Sequence, residues 1–396
     1  MSDAGTDPSA SAADVVVVGG GLIGTATAWR LAQRGLAVTQ VVGERAAAAS
    51  RVAAGMLAPV SETTFTEKAL LALNQASSER WSAFAAEVEG ASGLPSGLRT
   101  TPTLSVASDA DDGARLRTFA DFLERHGLAA ERLTSRECRT YEPLLAPTVR
   151  SGLLVPGDWS CDNRLLLDAL VAAAGRAGVR VLDGFVHRVE SAAEQVTGVT
   201  LADGTTLPTA RVVLANGAWA AQVDGVPPVP VRPVKGQVVR LDPGRFPAPS
   251  VTVRAFSRGS EVYLVPRATG REVVVGATVE EQGFDHRVTA GGVYELLRDA
   301  RQVLPMTAEY ALAETSVGWR PGTPDNAPVL GGCALAGLTL ATGHHRNGVL
   351  LTPVSADVTA AFVATGALDP VAAPFTLARF DRTAGPRGAR AVEVVR

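Results

Sequence analysis

Three glycines set between a valine run and an apolar-periodic segment constrain this chain more than anything else in it. Asp14 to Arg34 reads DVVVVGGGLIGTATAWRLAQR. Val15 to Val18 form a strand and Gly19-Gly20-Gly21 a tight turn, and Ile23, Ala26, Trp29 and Leu31 then recur at helical spacing until Gly35. Gly19, Gly21 and Gly24 occupy the positions of G-x-G-x-x-G. The first permits the turn, the second lets a pyrophosphate approach the backbone, and the third lets helix and strand pack closely. The free N–H groups and positive dipole end of the helix then face the phosphates. A glycine triplet alone matches many ordinary turns; the strand before it and the helix after it make this one a dinucleotide site. At this level FAD and NAD fit equally.

A chain of 396 residues supports two substantial cores, so two domains are expected. Apolar residues make up 46%, charged residues 19%, and the net charge is −3. That balance gives no electrostatic footprint for nucleic acid. No apolar run reaches membrane-spanning length, and residues 1–13, small and polar, read as a disordered leader and not as a signal peptide. Cys138, Cys161 and Cys333 are odd in number and far apart, which favours free thiols in a reducing cytoplasm over disulfides or zinc. His126 and His187 stand alone, and no metal site is expected.

Leu36 to Val42 reads as the second strand of the nucleotide fold, where an acidic residue usually grips a ribose hydroxyl. The strand runs out at Val42-Gly43-Glu44-Arg45, so Glu44 is the ribose candidate, with a solvated loop charge as the alternative. Ser50 to Pro59 is a run of small residues around Met56. It suits close approach to a flat ligand, and a tightly packed loop explains it as well. Residues 67 to 90 show helical spacing, Thr103 to Ala107 reads as a strand, Ala114 to His126 as an amphipathic helix, and Thr134 heads a capping box with Glu137. A helix follows from Asp162 to Gly178, then strands at Val179 to Leu182 and Val186 to Val189, and a hairpin turning at Asp203-Gly204. Arg211 to Trp219 is a second strand running into a small-residue turn. It marks a return to the nucleotide domain and adds Ala215 and Gly217 to the cofactor contacts. Beyond the proline-rich crossing at Pro227 to Pro233, Gly236 to Leu241, Val251 to Ala255, Val262 to Pro266 and Val273 to Thr278 suggest an antiparallel sheet, with a helix near Val293 to Val303. Arg320 and Arg346 lie among glycine, proline and aromatic residues, as expected for a guanidinium aimed into a cleft; a structural ion pair is the alternative for each.

Several motifs in one order carry a resemblance: AAGMLAP from Ala53, PVKGQ from Pro233, YLVPR from Tyr263, GATVE from Gly276, GWRPGTPD from Gly318 and GHHRNGVLL from Gly343. The chain resembles the D-amino acid oxidase family of flavoproteins, on its glycine oxidase branch in thiamine biosynthesis, from about Asp14 to Phe380. The resemblance implies an α/β fold with an α+β second domain, in which a Rossmann-like FAD-binding domain is interleaved with an antiparallel-sheet substrate domain. Its expected segments are 14–60, about 150–225 and about 325–385 for FAD, and about 61–149 and about 226–324 for substrate, with a tail at 386–396.

It also implies noncovalent FAD, because Val317, Gly318 and Trp319 before Arg320 include no flavin-linking cysteine. Leu22 and Ile23 would lie at the pyrophosphate, Ala49, Ser50, Ala54, Gly55 and Met56 along the flavin, and Val186 at the adenine. His344, His345, Arg346, Asn347, Gly348, Val349 and Leu350 would wrap the isoalloxazine end. Arg320 would hold the substrate carboxylate, Tyr263 would donate to it, and Arg346 and Met56 would complete the catalytic set. The family's acidic ribose ligand falls at Val42, and Glu261 stands where a histidine is common two residues before the tyrosine, which bears on substrate choice. The implied reaction is oxidation of glycine or a small amine acid to an imine, with dioxygen reduced to hydrogen peroxide, in a homo-oligomer, a tetramer by resemblance. A larger glycine-derived or N-substituted substrate, or a flavin-binding subunit without turnover, are the alternatives.

Overall fold

The computed structural model describes residues 13–43, 49–65, 67–257 and 260–381. Glu44, almost all of the expected leader and the expected tail at 386–396 lie outside them.

Val15–Val18 is buried on both faces, as four consecutive valines dictate, and sits inside a six-stranded sheet. It pairs in parallel with Val38–Val42 on one side and Val212–Leu214 on the other. Arg180–Asp183 and Leu338–Thr342 extend the sheet in parallel, and Val329–Gly332 closes one edge antiparallel. The helix Leu22–Gln33 starts at Gly21 and packs between Asn163–Arg176 and Thr352–Thr365, sharing a core with Trp29, Trp81 and Phe84. The opposite face is covered by a three-stranded meander, Val186–Ala192, Gln195–Leu201 and Thr206–Pro208, which turns at Asp203-Gly204. The second strand-to-turn at Val212–Leu214 thus returns the chain to the first sheet, as its composition suggests.

The second sheet has eight strands. In order across the sheet, Ala311–Gly322, Arg232–Asp242, Val273–Gly276, Ser260–Pro266 and Thr252–Ser257 are followed by Thr103–Ala107, Ser151–Val155 and Glu131–Thr134. Alternation assigns its faces: Val239, Leu241, Leu264, Val273 and Val275 meet the helix Ala290–Val303, while Val238, Val265 and Val274 turn toward Val52, Ala54 and Met56. One pairing departs from the antiparallel expectation. Thr252–Ser257 runs parallel to Thr103–Ala107, because these strands come from distant segments and no hairpin dictates their sense. Ser151–Val155, grouped by sequence with the nucleotide segments, pairs in this sheet. A small sheet of Met56–Leu57, Trp159–Cys161 and Leu98–Arg99 lies between the two large ones.

The helical span at 67–90 resolves into two helices, Lys68–Ser78 and Trp81–Ser92. Around the break, Ser77 Oγ and Trp81 Nε1 both donate to the Leu350 carbonyl, at 2.7 and 2.8 Å. The capping box at Thr134 and Glu137 is formed, and Asp162 caps Asn163–Arg176.

Candidate active site

A cavity of about 980 Å³ runs from the Gly19 turn, along residues 49–56, to Tyr263 and Arg320 in the eight-stranded sheet. At its nucleotide end the recognition surface is backbone. Gly19 adopts φ +120°, and a Cβ there would lie 2.4 Å from the Ala215 carbonyl oxygen. A Cβ on Gly24 would lie 2.2 Å from the Gly19 oxygen, so this glycine lets helix and strand touch and does not itself line the cavity. Gln40 donates to the Gly19 oxygen at 2.8 Å and to Thr25 at 3.0 Å, fixing the turn from behind. Leu22 N–H at the helix start donates to Ser50 Oγ at 3.0 Å, and Asn216 Oδ1 is buried without a hydrogen-bond partner among the described residues. Close backbone, a helix N-terminus and an orphaned polar atom together fit a dinucleotide.

Further along, Val186 lines the cavity beside Phe185, His187 and Ala202. Val42 is buried at its strand end and carries no acid toward the cavity. Residues 49–56 form a short helix and an extended exit, with Gly55 at φ +80° so close to Cys161 that a Cβ would sit 1.9 Å from its carbonyl oxygen. From the other side come residues 343–349: Gly343 at φ +75° and His345 at φ +44° fold the segment back before the helix Thr352–Thr365.

The far end is built from charge. Arg320 lies in the strand Ala311–Gly322 opposite Val234, and its Nη1 donates to the Thr278 oxygen at 3.1 Å. It lies over Gly236, where a Cβ would fall 2.4 Å from Nη1, so glycine is what gives the guanidinium its place. Tyr263 packs over Gly276 by the same device, with an added Cβ 2.5 Å from its hydroxyl. Burial raises the Tyr263 pKa and the Arg320 charge opposes that rise, so the phenol stays protonated and able to donate. Among the described residues no carboxylate lies within ion-pairing distance of Arg320, whereas Arg346 pairs with Glu62 at 3.7 Å. Glu62 also faces Arg254 at 3.6 Å, and Arg254 faces Glu261 at 3.3 Å. The His345 imidazole is pushed down to about 4, first by burial and then by Arg320, Arg346 and Arg232, and is neutral at physiological pH. Burial holds the His344 imidazole at about 3, with Nε2 2.9 Å from Ser355 Oγ.

Of the residues expected from sequence, Gly19, Gly21, Leu22, Ile23, Ala49, Ser50, Ala54, Gly55, Met56, Val186, Ala215, Gly217, Tyr263, Arg320, His344, His345, Arg346, Gly348 and Val349 line this one cavity. Gly24, Asn347 and Leu350 stand behind it. Leu350 lends its carbonyl to Ser77 and Trp81, and Asn347 its carbonyl to the Leu351 N–H. Glu62 and Gln40 were missed. Glu62 is a single acid beyond the AAGMLAP motif and Gln40 a single amide inside a strand, and neither leaves a local signal. Glu261 does line the cavity.

A family model described as FAD dependent oxidoreductase matches residues 14–362. The chain is 35% identical over 374 residues to the bifunctional protein ThiO/ThiG of Trichormus variabilis, covering 94% of this chain and 56% of that one. It therefore spans little more than half the length of that relative. Glycine oxidase of Geobacillus kaustophilus is 33% identical over 372 residues, covering 92% of this chain and 97% of that protein. The crystal structure of glycine oxidase from the same organism superposes with a TM-score of 0.83 at 32% identity, covering 93% and 98%.

Proposed function

The chain belongs to the FAD dependent oxidoreductase family, and from that premise we propose that it oxidises glycine or a similarly small primary or secondary amine acid. The observation that carries the reading is Arg320, a cavity guanidinium with no acid partner among the described residues, set beside a protonated tyrosine. A carboxylate is the ligand that such a pair recognises, through two parallel N–H donors and one O–H donor.

Gly19 to Ile23, Ala49 to Met56 and His344 to Val349 would hold FAD, which when bound supplies the two-electron acceptor and passes the electrons on to dioxygen, giving hydrogen peroxide. The protein's own part is placement. Arg320 and Tyr263 fix the carboxylate, so that the Cα–H bond of a two-carbon acid has few orientations left. Arg320 is a positioner and not a base. His345, neutral and weakly basic, cannot store the ammonium proton, so the amine enters as the free base supplied by its own equilibrium in solution. Glycine, dioxygen and water then yield glyoxylate, ammonia and peroxide. Glu62 and Glu261 also line this end, where Arg346 and Arg254 balance their charge and leave Arg320 as the cation open to a carboxylate. The Glu261 carboxylate, half exposed beside the cavity, also suits a secondary amine, which supports an N-substituted glycine as the second reading.

The reading places the protein in thiamine biosynthesis, in a cytoplasm that keeps Cys138, Cys161 and Cys333 as free thiols, and, on resemblance alone, as a homotetramer. It takes 14–60, about 150–225 and about 325–385 as the FAD domain; all six strands of the six-stranded sheet fall in these segments, while Ser151–Val155 belongs to the other sheet and the helices Lys68–Ser78 and Trp81–Ser92 pack into the FAD-domain core. The test is direct. Purified protein should be yellow and release peroxide on adding glycine, sarcosine or D-alanine, with glycine or sarcosine fastest. A colourless protein that takes up no FAD, or a yellow one that releases no peroxide with any of them, overturns the proposal.

A further inference from the structure

Behind the 49–56 segment, on the side away from the cavity, lies a cluster of buried charge that the proposed reaction does not use. Arg240 and Arg267 are 1% and 4% exposed. Both meet Glu272, Arg240 at 2.5 Å and Arg267 at 3.3 Å, and Arg164 forms two hydrogen bonds to Glu314 at 2.9 and 2.6 Å. Their remaining donors converge on the backbone of one short loop. Arg267 Nη1 donates to the Ala54 oxygen at 2.8 Å and to the Cys161 oxygen at 3.2 Å, while its Nη2 reaches Asn163 Oδ1 at 2.8 Å. Arg164 Nε and Arg240 Nη2 donate to the Arg51 oxygen at 3.0 and 3.3 Å. Asn163 Nδ2 holds the Ser50 oxygen at 2.7 Å, and the Cys161 N–H holds the Gly55 oxygen at 2.7 Å.

The carbonyls of residues 50, 51, 54 and 55 are thus all bound by these groups. The N–H groups of Ala54 and Gly55 are in the opposite state: among the described residues neither has a hydrogen-bond acceptor, and both residues line the cavity. A peptide group whose oxygen is held by a guanidinium is polarised, and its N–H becomes a stronger donor. Buried guanidinium groups are costly to desolvate, and well-packed apolar side chains hold a core together as well or better, so this cluster is poorly explained by stability alone.

We propose that Arg240 and Arg267 are positioning residues for the cofactor, which turn and polarise the 50–55 loop so that its unpaired N–H groups serve as donors to FAD. The inference rests on the FAD reading and deepens it. The arginine fork is needed because one side chain must serve two carbonyls and an amide at once; a lysine at 267 supplies one point charge and cannot span them.

The test compares wild-type protein with Arg267→Met, Arg267→Lys and Arg240→Met. FAD is stripped and titrated back while flavin fluorescence is followed. The visible spectrum and midpoint potential of the loaded proteins are recorded, and the thermal unfolding of each stripped protein is measured. Arg267→Met is expected to weaken FAD on the order of tenfold or more, to make the flavin potential more negative and to shift its visible band; the stripped protein is expected to lose some stability as well, since Glu272, Asn163 and two backbone carbonyls lose a partner. Arg267→Lys should recover part of each effect. Unchanged spectrum and potential, whether or not the stripped variant is less stable, overturn the proposal and reduce the cluster to scaffolding. If Arg267→Met does not fold, Arg267→Lys and Arg240→Lys decide by the same readouts. Wild-type protein that binds no FAD strikes the functional reading itself, an outcome separate from a variant that binds it normally.

Discussion

The two ends of the cavity solve recognition in opposite ways. At the Gly19 turn the surface is backbone and missing side chains: Gly19, Gly21 and Gly24 matter because nothing projects from them. At the Arg320 end the surface is side chain, with Arg320, Tyr263, Glu62, Glu261 and Arg346 all presenting charge or a hydroxyl. Even there glycine has a part, since Gly236 and Gly276 give up the volume that Arg320 and Tyr263 fill. A long ligand with many equivalent contacts is held by shape, and a very small one only by strong, directed groups. Substitutions should therefore separate cofactor retention at one end from substrate affinity at the other.

The largest expected effect is Arg320→Ala, which should cost about 2 to 5 kcal/mol in kcat/KM with flavin content unchanged. Steady-state kinetics beside an absorbance count of bound FAD will show it. An unaltered KM takes Arg320 out of the site and breaks the comparison. Gly19→Ala should do the reverse: an added methyl against the Ala215 carbonyl costs about 1 to 3 kcal/mol, read as lost FAD, while the loaded fraction keeps its KM for glycine. Should KM rise in step with FAD loss, the two ends are one coupled site.

The charged end should also be the acid-labile one. His345 is held at about 4 and His344 at about 3, against an ordinary value of 6.5. The unfolded chain then binds more protons than the native one below that value, so stability is complete above about pH 6.5 and falls as pH drops toward 4. Each imidazole contributes at most about 1.4 kcal/mol per pH unit, tempered at His345 by its partial exposure. Burial is the main cause at His345; Arg320, Arg346 and Arg232 add to it and Glu62 opposes it. Buried Asp158, raised to about 6 by desolvation, gives the opposite slope over about pH 4 to 6. The readout is therefore the difference in urea unfolding between wild type and His345→Gln across this range. A variant that tracks wild type at every pH would show that this imidazole binds its proton as readily in the native protein as in the unfolded chain. The smallest change is expected of Tyr263→Phe, about 1 kcal/mol for one hydrogen bond, seen mainly in KM. Complete loss of turnover with FAD retained would make the hydroxyl chemically essential and sharpen the division further.

Sequence foretold the glycine end better than the charged one. A turn that demands φ above zero or a bare Cα leaves its mark in the residues themselves, as at Gly19, Gly55 and Asp203-Gly204. The glycine, proline and aromatic neighbours of Arg320 marked it as a cleft guanidinium, but its carboxylate role, and Tyr263 altogether, came from the resemblance, because the spacing of single polar residues says little about what they face. Glu62 gave no sign at all: its partners Arg254 and Arg346 lie far along the chain. The same holds for the parallel pairing of Thr252–Ser257 with Thr103–Ala107. Local pattern fixes a strand and its faces but not a neighbour more than a hundred residues away. Nor does local pattern show that Ser77 and Trp81, which flank the break in residues 67–90, meet the carbonyl of distant Leu350.

The six-stranded sheet has a consequence for how the chain is made. Its fourth parallel strand in chain order, Val212–Leu214, waits for Leu338–Thr342 to cover its outer edge, while Val15–Val18 emerges first of all. During synthesis the earliest strand is therefore ready long before its sheet can close, and the edge at 212–214 stays open to foreign strands until more than a hundred further residues have left the ribosome. Whatever shields that edge in the interval governs the yield of native protein, however stable the finished molecule is.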